Sequence, residues 1–220
     1  LEGSSRSKYI QGMAKYFSER GWDVLAMNYR GCSGEINRKV KFYSMGQIED
    51  LEVVLKKTAD YKKVVIAGFS LGGGLVLNYL GSQKELPKNI FCAMAVSAPC
   101  DPLGSARTFM KKENKIYTKY FMDKLKKKML EKSVIYPKKI EIDKILACET
   151  IEEFDNIFTA PQYGYRDAED YYEKVSPKKA IPFIKVPTFI LMAEDDPIMS
   201  EECYPIREAK KNKHITLQIT

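Results

Sequence analysis

The 220-residue sequence has a single histidine, His214, and no long apolar run. No uncharged apolar stretch approaches the ~20 residues that a membrane-spanning helix needs, and residues 1–7 do not resemble a signal peptide. The five cysteines are scattered without C-x-x-C spacing, so neither a zinc site nor a disulfide framework is indicated. We therefore expect free thiols and a location in the cytosol or on the cytoplasmic side of a membrane.

The chain has a formal net charge of +7, and this positive charge is concentrated in one segment. Residues 111–145 contain twelve lysines and five acidic residues, and the rest of the chain is balanced. This segment, from Lys111 to Lys144, could contact anionic lipid head groups as a peripheral membrane surface. A solvated helix face is the alternative interpretation. No nucleic-acid-binding motif accompanies the charge, so a nucleic-acid partner is not expected.

Short apolar runs alternate with helical patterns along the chain. The alternation predicts an α/β fold with a mostly parallel, doubly wound sheet, and the run at 90–96 is typical of a strand buried on both faces. We predict strands at residues 23–29, 64–67, 90–96, 186–193 and 215–219, and helices at residues 5–20, 47–57 and about 71–80.

About ninety residues between the third and fourth of these strands show helical patterns only. Helices are predicted at residues 105–129, 151–158 and 168–175. The segment is too long for a crossover loop, so we interpret it as a helical cap over the carboxyl edge of the sheet. The predicted organisation is a first core part at 1–100, an inserted cap at 101–182, and a second core part at 183–220.

The most informative motif is Gly68-Phe69-Ser70-Leu71-Gly72, which follows an apolar strand and precedes a helical pattern. In a G-x-S-x-G pattern with this context, a sharp turn projects the serine from the sheet edge as a nucleophile. We expect glycine at positions 68 and 72 because the strand and the helix backbones approach closely there, and a Cβ would clash with them. The amide of Leu71 opens the helix and is a candidate for binding an oxyanion.

A serine hydrolase of this kind needs an acid and then a histidine later in the chain. Asp196, after the strand that follows the cap, is the candidate acid, with Asp195 as the alternate and an exposed acidic turn as the structural alternative. Asp101 is a weaker candidate, because its position between two prolines favours a turn. His214 precedes the last strand and should lie about 20 Å from Ser70, so we expect a structural role for it.

Two residues of the glycine-rich turn after residue 29 are candidates for the substrate pocket. Arg30 could contact substrate and Cys32 could line the cavity, although a structural role is the simpler interpretation of both. The tyrosine pair at 171–172 is interpreted as part of the cap core.

Several segments together resemble the YheT-like family of α/β hydrolases, and the resemblance extends over essentially the whole chain. It implies an esterase or lipase-like enzyme that cleaves acyl esters or lipids with a Ser-Asp-His triad and needs no metal or cofactor. By this likeness Ser70 is the nucleophile, Asp196 is the acid, and the amides of Leu71 and Leu1 form the oxyanion hole. The segments that carry the resemblance are residues 1–5, 28–34, 68–74, 153–156, 163–167, 171–172 and 193–197.

The sequence departs from the family pattern at both ends. The His-Gly that would precede Leu1 is missing, as is the Gly-Gly-His-x-Gly-Phe segment that would follow Thr220. We therefore expect a fragment truncated at both ends, with the triad histidine outside it and little activity of its own. Two other functions remain open: a hydrolase-fold protein that binds a lipid or acidic partner without turnover, and an acyltransferase that uses the same serine.

Overall fold

Four parallel strands form the sheet. In the computed structural model, which describes all 220 residues, these are β1 (Val64–Phe69), β2 (Ile90–Val96), β3 (Thr188–Met192) and β4 (Ile215–Ile219). They pair in chain order, and every pairing is parallel. Their carboxyl ends therefore meet at one edge, which is where α/β proteins place their sites.

Ten α-helices accompany the sheet, and none is both long and apolar enough to cross a membrane. The alternation of strands and helices confirms the predicted α/β class with a parallel sheet. The helices are α1 (Lys8–Ser18), α2 (Ile48–Lys56), α3 (Leu71–Ser82), α4 (Pro102–Phe109), α5 (Lys115–Ile135), α6 (Ile142–Ala147), α7 (Ile151–Phe154), α8 (Ala160–Tyr163), α9 (Ala168–Val175) and α10 (Ile206–Lys211).

Helices lie on both faces of the sheet. Successive positions along β1 alternate between the two faces of the sheet. Positions 66 and 68 lie on the face on which α3 packs, and both residues are buried. Phe69 points to the opposite face, where its ring meets that of Tyr9 from α1 at 5.1 Å between centroids. This second face is less covered, since Phe91 of β2 is 53% exposed. The prediction that β2 is buried on both faces is therefore wrong.

The strand predicted at residues 23–29 is also wrong. This segment is not a strand, and its backbone N–H groups donate no hydrogen bonds to other backbone groups. Val24 and Leu25 are exposed. Its residues have high strand propensity, but propensity describes how a residue fits a pleated surface and does not supply a hydrogen-bonded neighbour.

The insertion between β2 and β3 is entirely helical, as predicted, but its helices divide differently. The single helix expected at residues 105–129 is two helices, α4 and α5, separated by a short 3₁₀ turn at Lys112–Asn114. Asn114 is buried in that turn and donates to the carbonyls of Thr108 and Pro197, which fixes the break. The helix expected at 151–158 continues from α7 through a π-helical turn at Asp155–Thr159 into α8.

Three hydrophobic clusters form the interior. The largest joins the sheet to α3 and includes Leu77 and Ile190. Two smaller clusters join the insertion to Cys32 and to the loop at 40–45; they centre on Met129 with Phe154 and on Tyr171. The division of the chain into a core and a cap at 101–182 stays a prediction, because both smaller clusters join residues of the insertion to residues that precede β1.

Candidate active site

Ser70 occupies a strained turn between β1 and α3. Its φ of +50° lies in the left-handed region, which non-glycine residues rarely adopt. The Ser70 N–H donates to the Val96 carbonyl at 2.8 Å, and the Ser70 carbonyl accepts from the Gly74 amide at 3.1 Å. These bonds fix the turn at the carboxyl edge of the sheet, and such strain is characteristic of a nucleophile elbow.

The turn requires glycine at position 68 but has room for a side chain at position 72. A Cβ on Gly68 would lie 2.2 Å from the carbonyl oxygen of Gly72, a distance that no real structure tolerates. A Cβ on Gly72 would meet only the Tyr29 hydroxyl, at 3.9 Å. The expected Cβ clash is therefore right for position 68 and wrong for position 72. Gly72 takes part in the close contact only through its backbone atoms, which a Cβ on Gly68 would meet.

The backbone amide of Leu71 is the first of α3. Amides in the first turn of a helix have no intrahelical acceptor and are available to a developing negative charge. The Tyr29 hydroxyl donates to the Leu71 carbonyl at 3.3 Å and so supports this turn from the side. Leu1 and Leu71 line the same cavity as Ser70.

The cavity over Ser70 is mainly apolar. Fifteen of its 22 lining residues are hydrophobic, and they come from both the core and the cap. Phe109, Phe121, Leu125 and Phe154 are contributed by the cap helices. An apolar cavity that opens on a serine suits an acyl chain attached to a reactive carbonyl.

One wall of the cavity is polar, and no sequence motif indicates it. Asp155 accepts a hydrogen bond from the Tyr172 hydroxyl at 2.6 Å, and Thr159 lies beside it as a second hydroxyl donor. Burial raises the pKa of Asp155 to about 6, although both hydroxyls oppose that shift. Nearby, the hydroxyls of Ser44 and Tyr171 are hydrogen-bonded at 3.1 Å. Tyr171 and Tyr172 are buried, as expected for cap core, and they also line this wall.

Asp196 lies in the loop that follows β3, at the same edge of the sheet as Ser70. Its Oδ1 accepts from the Ile198 amide at 3.2 Å, and the side chain is half-buried, whereas Asp195 is exposed. The cap holds this loop, because Ser105 donates to the Ile198 carbonyl and Asn114 to the Pro197 carbonyl.

Asp101 caps a helix. Its side chain accepts from the Gly104 amide at 3.3 Å at the start of α4. This contact agrees with the turn-forming role expected for Asp101.

His214 lies directly before β4, at the amino edge of the sheet. Its carbonyl accepts from Thr188 at the start of β3, and its own amide donates to Asn212. Ser70 lies at the opposite edge, so the one histidine of these 220 residues is remote from it.

Arg30 and Cys32 do not line the cavity. Arg30 forms an ion pair with Asp50, and Cys32 is buried against the ammonium of Lys128. Both contacts hold the loop around residues 28–34 in place.

Two lysines of the basic segment are buried. Lys128 forms a 2.7 Å ion pair with Glu2, next to Leu1, and lies over the rings of Phe42 and Tyr43. Lys132 donates to the carbonyls of residues 39 and 40, and desolvation lowers its pKa to about 8, with the nearby charge of Lys128 acting in the same direction. The interpretation of the segment as a solvated face is wrong for these two positions. Their spacing from the buried Leu125 and Met129 places them on the inner side of α5.

No group of three or more histidine, cysteine or acidic side chains is close enough together to hold a metal ion.

The comparison with protein families matches residues 1–128 to the alpha/beta hydrolase fold. The chain belongs to this family. Relatives include "Putative esterase YheT" of Escherichia coli (strain K12), 33% identical over 95% of the chain and 63% of its own length. "Phospholipase ABHD3" of Bos taurus is 30% identical over 100% of the chain and 54% of its own length. "Monoacylglycerol lipase" of Saccharomyces cerevisiae is 30% identical over 99% and 50%, respectively.

This α/β hydrolase chain spans about half to two thirds of the length of these relatives. The resemblance to the YheT-like family is confirmed by the first of them. Among solved structures, an esterase from Pyrococcus furiosus superposes with a TM-score of 0.62 at 19% identity, covering 99% of the chain and 69% of the esterase. That similarity confirms the fold.

Alanine at position 68 should disrupt the elbow, whereas alanine at position 72 should not. We expect Gly68→Ala to lower the free energy of unfolding by about 3 kcal/mol or more, because its Cβ overlaps backbone atoms that cannot move aside cheaply. Gly72→Ala should change it by less than about 1 kcal/mol, since a helix favours alanine. Urea unfolding of both variants measures the difference, and equal losses would contradict this account.

Replacing Asp155 by asparagine should change how stability depends on pH. The pKa of Asp155 is raised from 3.8 to about 6, so ionising this group weakens the folded state as pH rises through that range. The free energy of unfolding of Asp155→Asn, relative to that of wild type, should rise by about 2.5 kcal/mol between pH 4 and pH 7.5. Urea unfolding at several pH values tests this, with the exposed Asp195→Asn as the control for losing one negative charge. A stability difference that stays constant with pH would contradict the assignment.

Proposed function

We propose that this protein is a serine hydrolase that cleaves carboxylic esters with lipid-like acyl groups. The observation that carries the proposal is the strained Ser70, with φ of +50°, which lies between β1 and α3 and lines a mainly apolar cavity. Relatives named as an esterase, a phospholipase and a monoacylglycerol lipase support ester hydrolysis as the reaction class.

In the proposed mechanism, the Ser70 Oγ attacks the ester carbonyl carbon while its proton passes to a histidine. The amides of Leu71 and Leu1 stabilise the resulting oxyanion by hydrogen bonding. The tetrahedral intermediate then collapses, and the alcohol leaves with the proton from the imidazolium. Water, activated by the same histidine, attacks the acyl-enzyme and releases the acid, which restores Ser70.

The base in this mechanism is a histidine outside residues 1–220, because His214 lies at the amino edge of the sheet. Asp196 is the acid that orients this histidine, since it follows β3 at the edge that carries Ser70 and the cap holds its loop. The side chain of Asp196 keeps one oxygen free of protein hydrogen bonds while the other accepts from Ile198.

Covalent labelling of the complete protein with a fluorophosphonate tests the nucleophile. We expect labelling of wild type and none of Ser70→Ala, with ester hydrolysis of the variant reduced to the level that binding and the oxyanion hole alone support. The 220-residue chain alone should label weakly while it retains the circular dichroism of a folded protein.

Two results would contradict this mechanism. Full activity of Ser70→Ala would exclude the serine, and a folded complete protein that never labels would favour a lipid-binding protein without turnover. Adding a second alcohol as acceptor distinguishes hydrolysis from acyl transfer by the product formed.

The acid is tested by a matched pair of neighbouring substitutions. Asp196→Asn should lower kcat about 10⁴-fold, by analogy with the loss of the acid in other triads, because the histidine loses its orientation and the charge that stabilises the imidazolium. Asp195→Asn should leave kcat near that of wild type. The reverse pattern would transfer the role to Asp195.

We also propose that the outer side of α5 contacts membranes. Ile116 and Val134 are 81% and 82% exposed, and Tyr120 and Leu130 lie on the same outward stripe. Exposed lysines such as Lys127 accompany them. An apolar stripe among lysines is the pattern of a surface that lies on anionic lipid.

Vesicle co-sedimentation tests this surface. Ile116→Ser combined with Val134→Ser should weaken binding of the complete protein to vesicles of anionic and neutral phospholipid at least tenfold, because two apolar contacts are lost. Val53→Ser, at an exposed apolar residue of α2, is the control and should bind like wild type. Equal binding by all three proteins would exclude α5 as the contact.

A further inference from the structure

The polar wall of the cavity contains a carboxylate that the proposed mechanism does not use. Asp155 is 9% exposed and lines the same cavity as Ser70. Its carboxylate has no lysine or arginine partner. A buried carboxylate without a cation is costly, so its presence in an apolar cavity requires an explanation.

The backbone presents Asp155 to the cavity in an unusual way. The residue begins the π-helical turn Asp155–Thr159 inside an otherwise α-helical segment, and π-helical turns are frequent at functional sites. Asp155 and Thr159, one helical turn apart, both line the cavity, and no lysine or arginine lines it.

Neutral hydroxyls surround the carboxylate. Tyr172 donates to its Oδ2 at 2.6 Å, and Thr159 is the second hydroxyl beside it. The Ser44–Tyr171 hydroxyl pair lines the cavity as well, and the rings of Tyr171 and Tyr172 are 5.3 Å apart. A wall of hydroxyl donors and acceptors around one carboxylate matches the hydrogen-bonding capacity of an alcohol group.

We propose that Asp155, with the hydroxyls of Tyr172 and Thr159, is a subsite that binds a hydroxyl group of the substrate. The proposal rests on the proposed function, since it assigns a specificity to the same cavity. The substrate class is an acyl ester that carries a free hydroxyl, such as an ester of a polyol. A cationic head group fits less well, because the hydroxyls already satisfy part of the carboxylate charge and the ammonium would lose its hydration.

Binding of ligands that cannot be hydrolysed tests the subsite independently of turnover. The probes are 1-O-dodecylglycerol, its dimethyl ether, which lacks both hydroxyls, and dodecyltrimethylammonium, measured by calorimetry on the complete protein. We expect wild type to bind the glycerol ether about 10- to 100-fold more tightly than the dimethyl ether, the range for a hydrogen bond to a charged group.

Two variants separate ligand binding from a structural role. Tyr172→Phe keeps the carboxylate but removes one hydroxyl of the subsite, so it should weaken the preference for the hydroxyl ligand without abolishing it. Asp155→Leu combined with Tyr172→Phe replaces both partners with apolar groups of similar shape, which limits the cost to folding, and should abolish the preference. Circular dichroism and thermal unfolding confirm that each variant is folded.

Three outcomes would overturn the subsite. These are equal binding of the two ethers by wild type, an unchanged preference in the double variant, or tighter binding of the ammonium than of the glycerol ether. If the hydroxyl preference holds while Ser70→Ala loses no activity, the subsite stands and the proposed hydrolase mechanism fails. If labelling depends on Ser70 but wild type shows no hydroxyl preference, the hydrolase mechanism stands and the subsite fails.

Discussion

The contact between Gly68 and the first turn of α3 is the constraint on which the site depends. With 2.2 Å between a hypothetical Cβ and the Gly72 carbonyl, only glycine lets the helix begin directly after the strand. This close approach forces Ser70 into the left-handed region and directs it out of the sheet edge. The Leu71 amide then has its position because α3 begins at that residue. One backbone contact therefore fixes the positions of both the proposed nucleophile and part of the proposed oxyanion hole.

The cap is joined to this site by polar contacts as well as by apolar packing. Ser105 and Asn114 hold the carbonyls of the loop that carries Asp196, and Lys128 holds Glu2 beside Leu1. Breaking a buried pair such as Lys128–Glu2 typically costs about 3–5 kcal/mol, because one charge is left uncompensated. The cap therefore fixes the loops around the site while its apolar side chains line the cavity.

The cavity combines an apolar environment with a polar one. Its phenylalanine and leucine side chains suit an acyl chain, and the wall with Asp155 suits a polar group. Burial both raises the pKa of Asp155 and removes competing water, so a hydrogen bond formed there is stronger than one at the surface. The apolar stripe on the outside of α5 would bring this cavity close to a lipid surface.

Local sequence patterns determined many of the helices and strands of this protein. Residues 64–74 encode strand, elbow and helix within one short segment, and the strand at 90–96 and the helix at 168–175 have the predicted bounds. The position of His214 at the amino edge also follows from sequence, because it precedes a strand in a parallel sheet. Tertiary contacts decided the rest. The segment 23–29 has the residues of a strand but no paired neighbour, and Asn114 breaks a long helix by bonding to the distant Pro197.

The same division applies to the site. The sequence by itself determined the family, the candidate nucleophile Ser70, and the loop that holds the candidate acid. Each of these follows from short motifs of adjacent residues. Only the tertiary structure decided which lysines are buried, that Gly72 is free to change, and that Asp155 faces the cavity. These properties depend on residues far apart in the chain, such as Glu2 with Lys128, and no local periodicity encodes what a side chain meets across the fold.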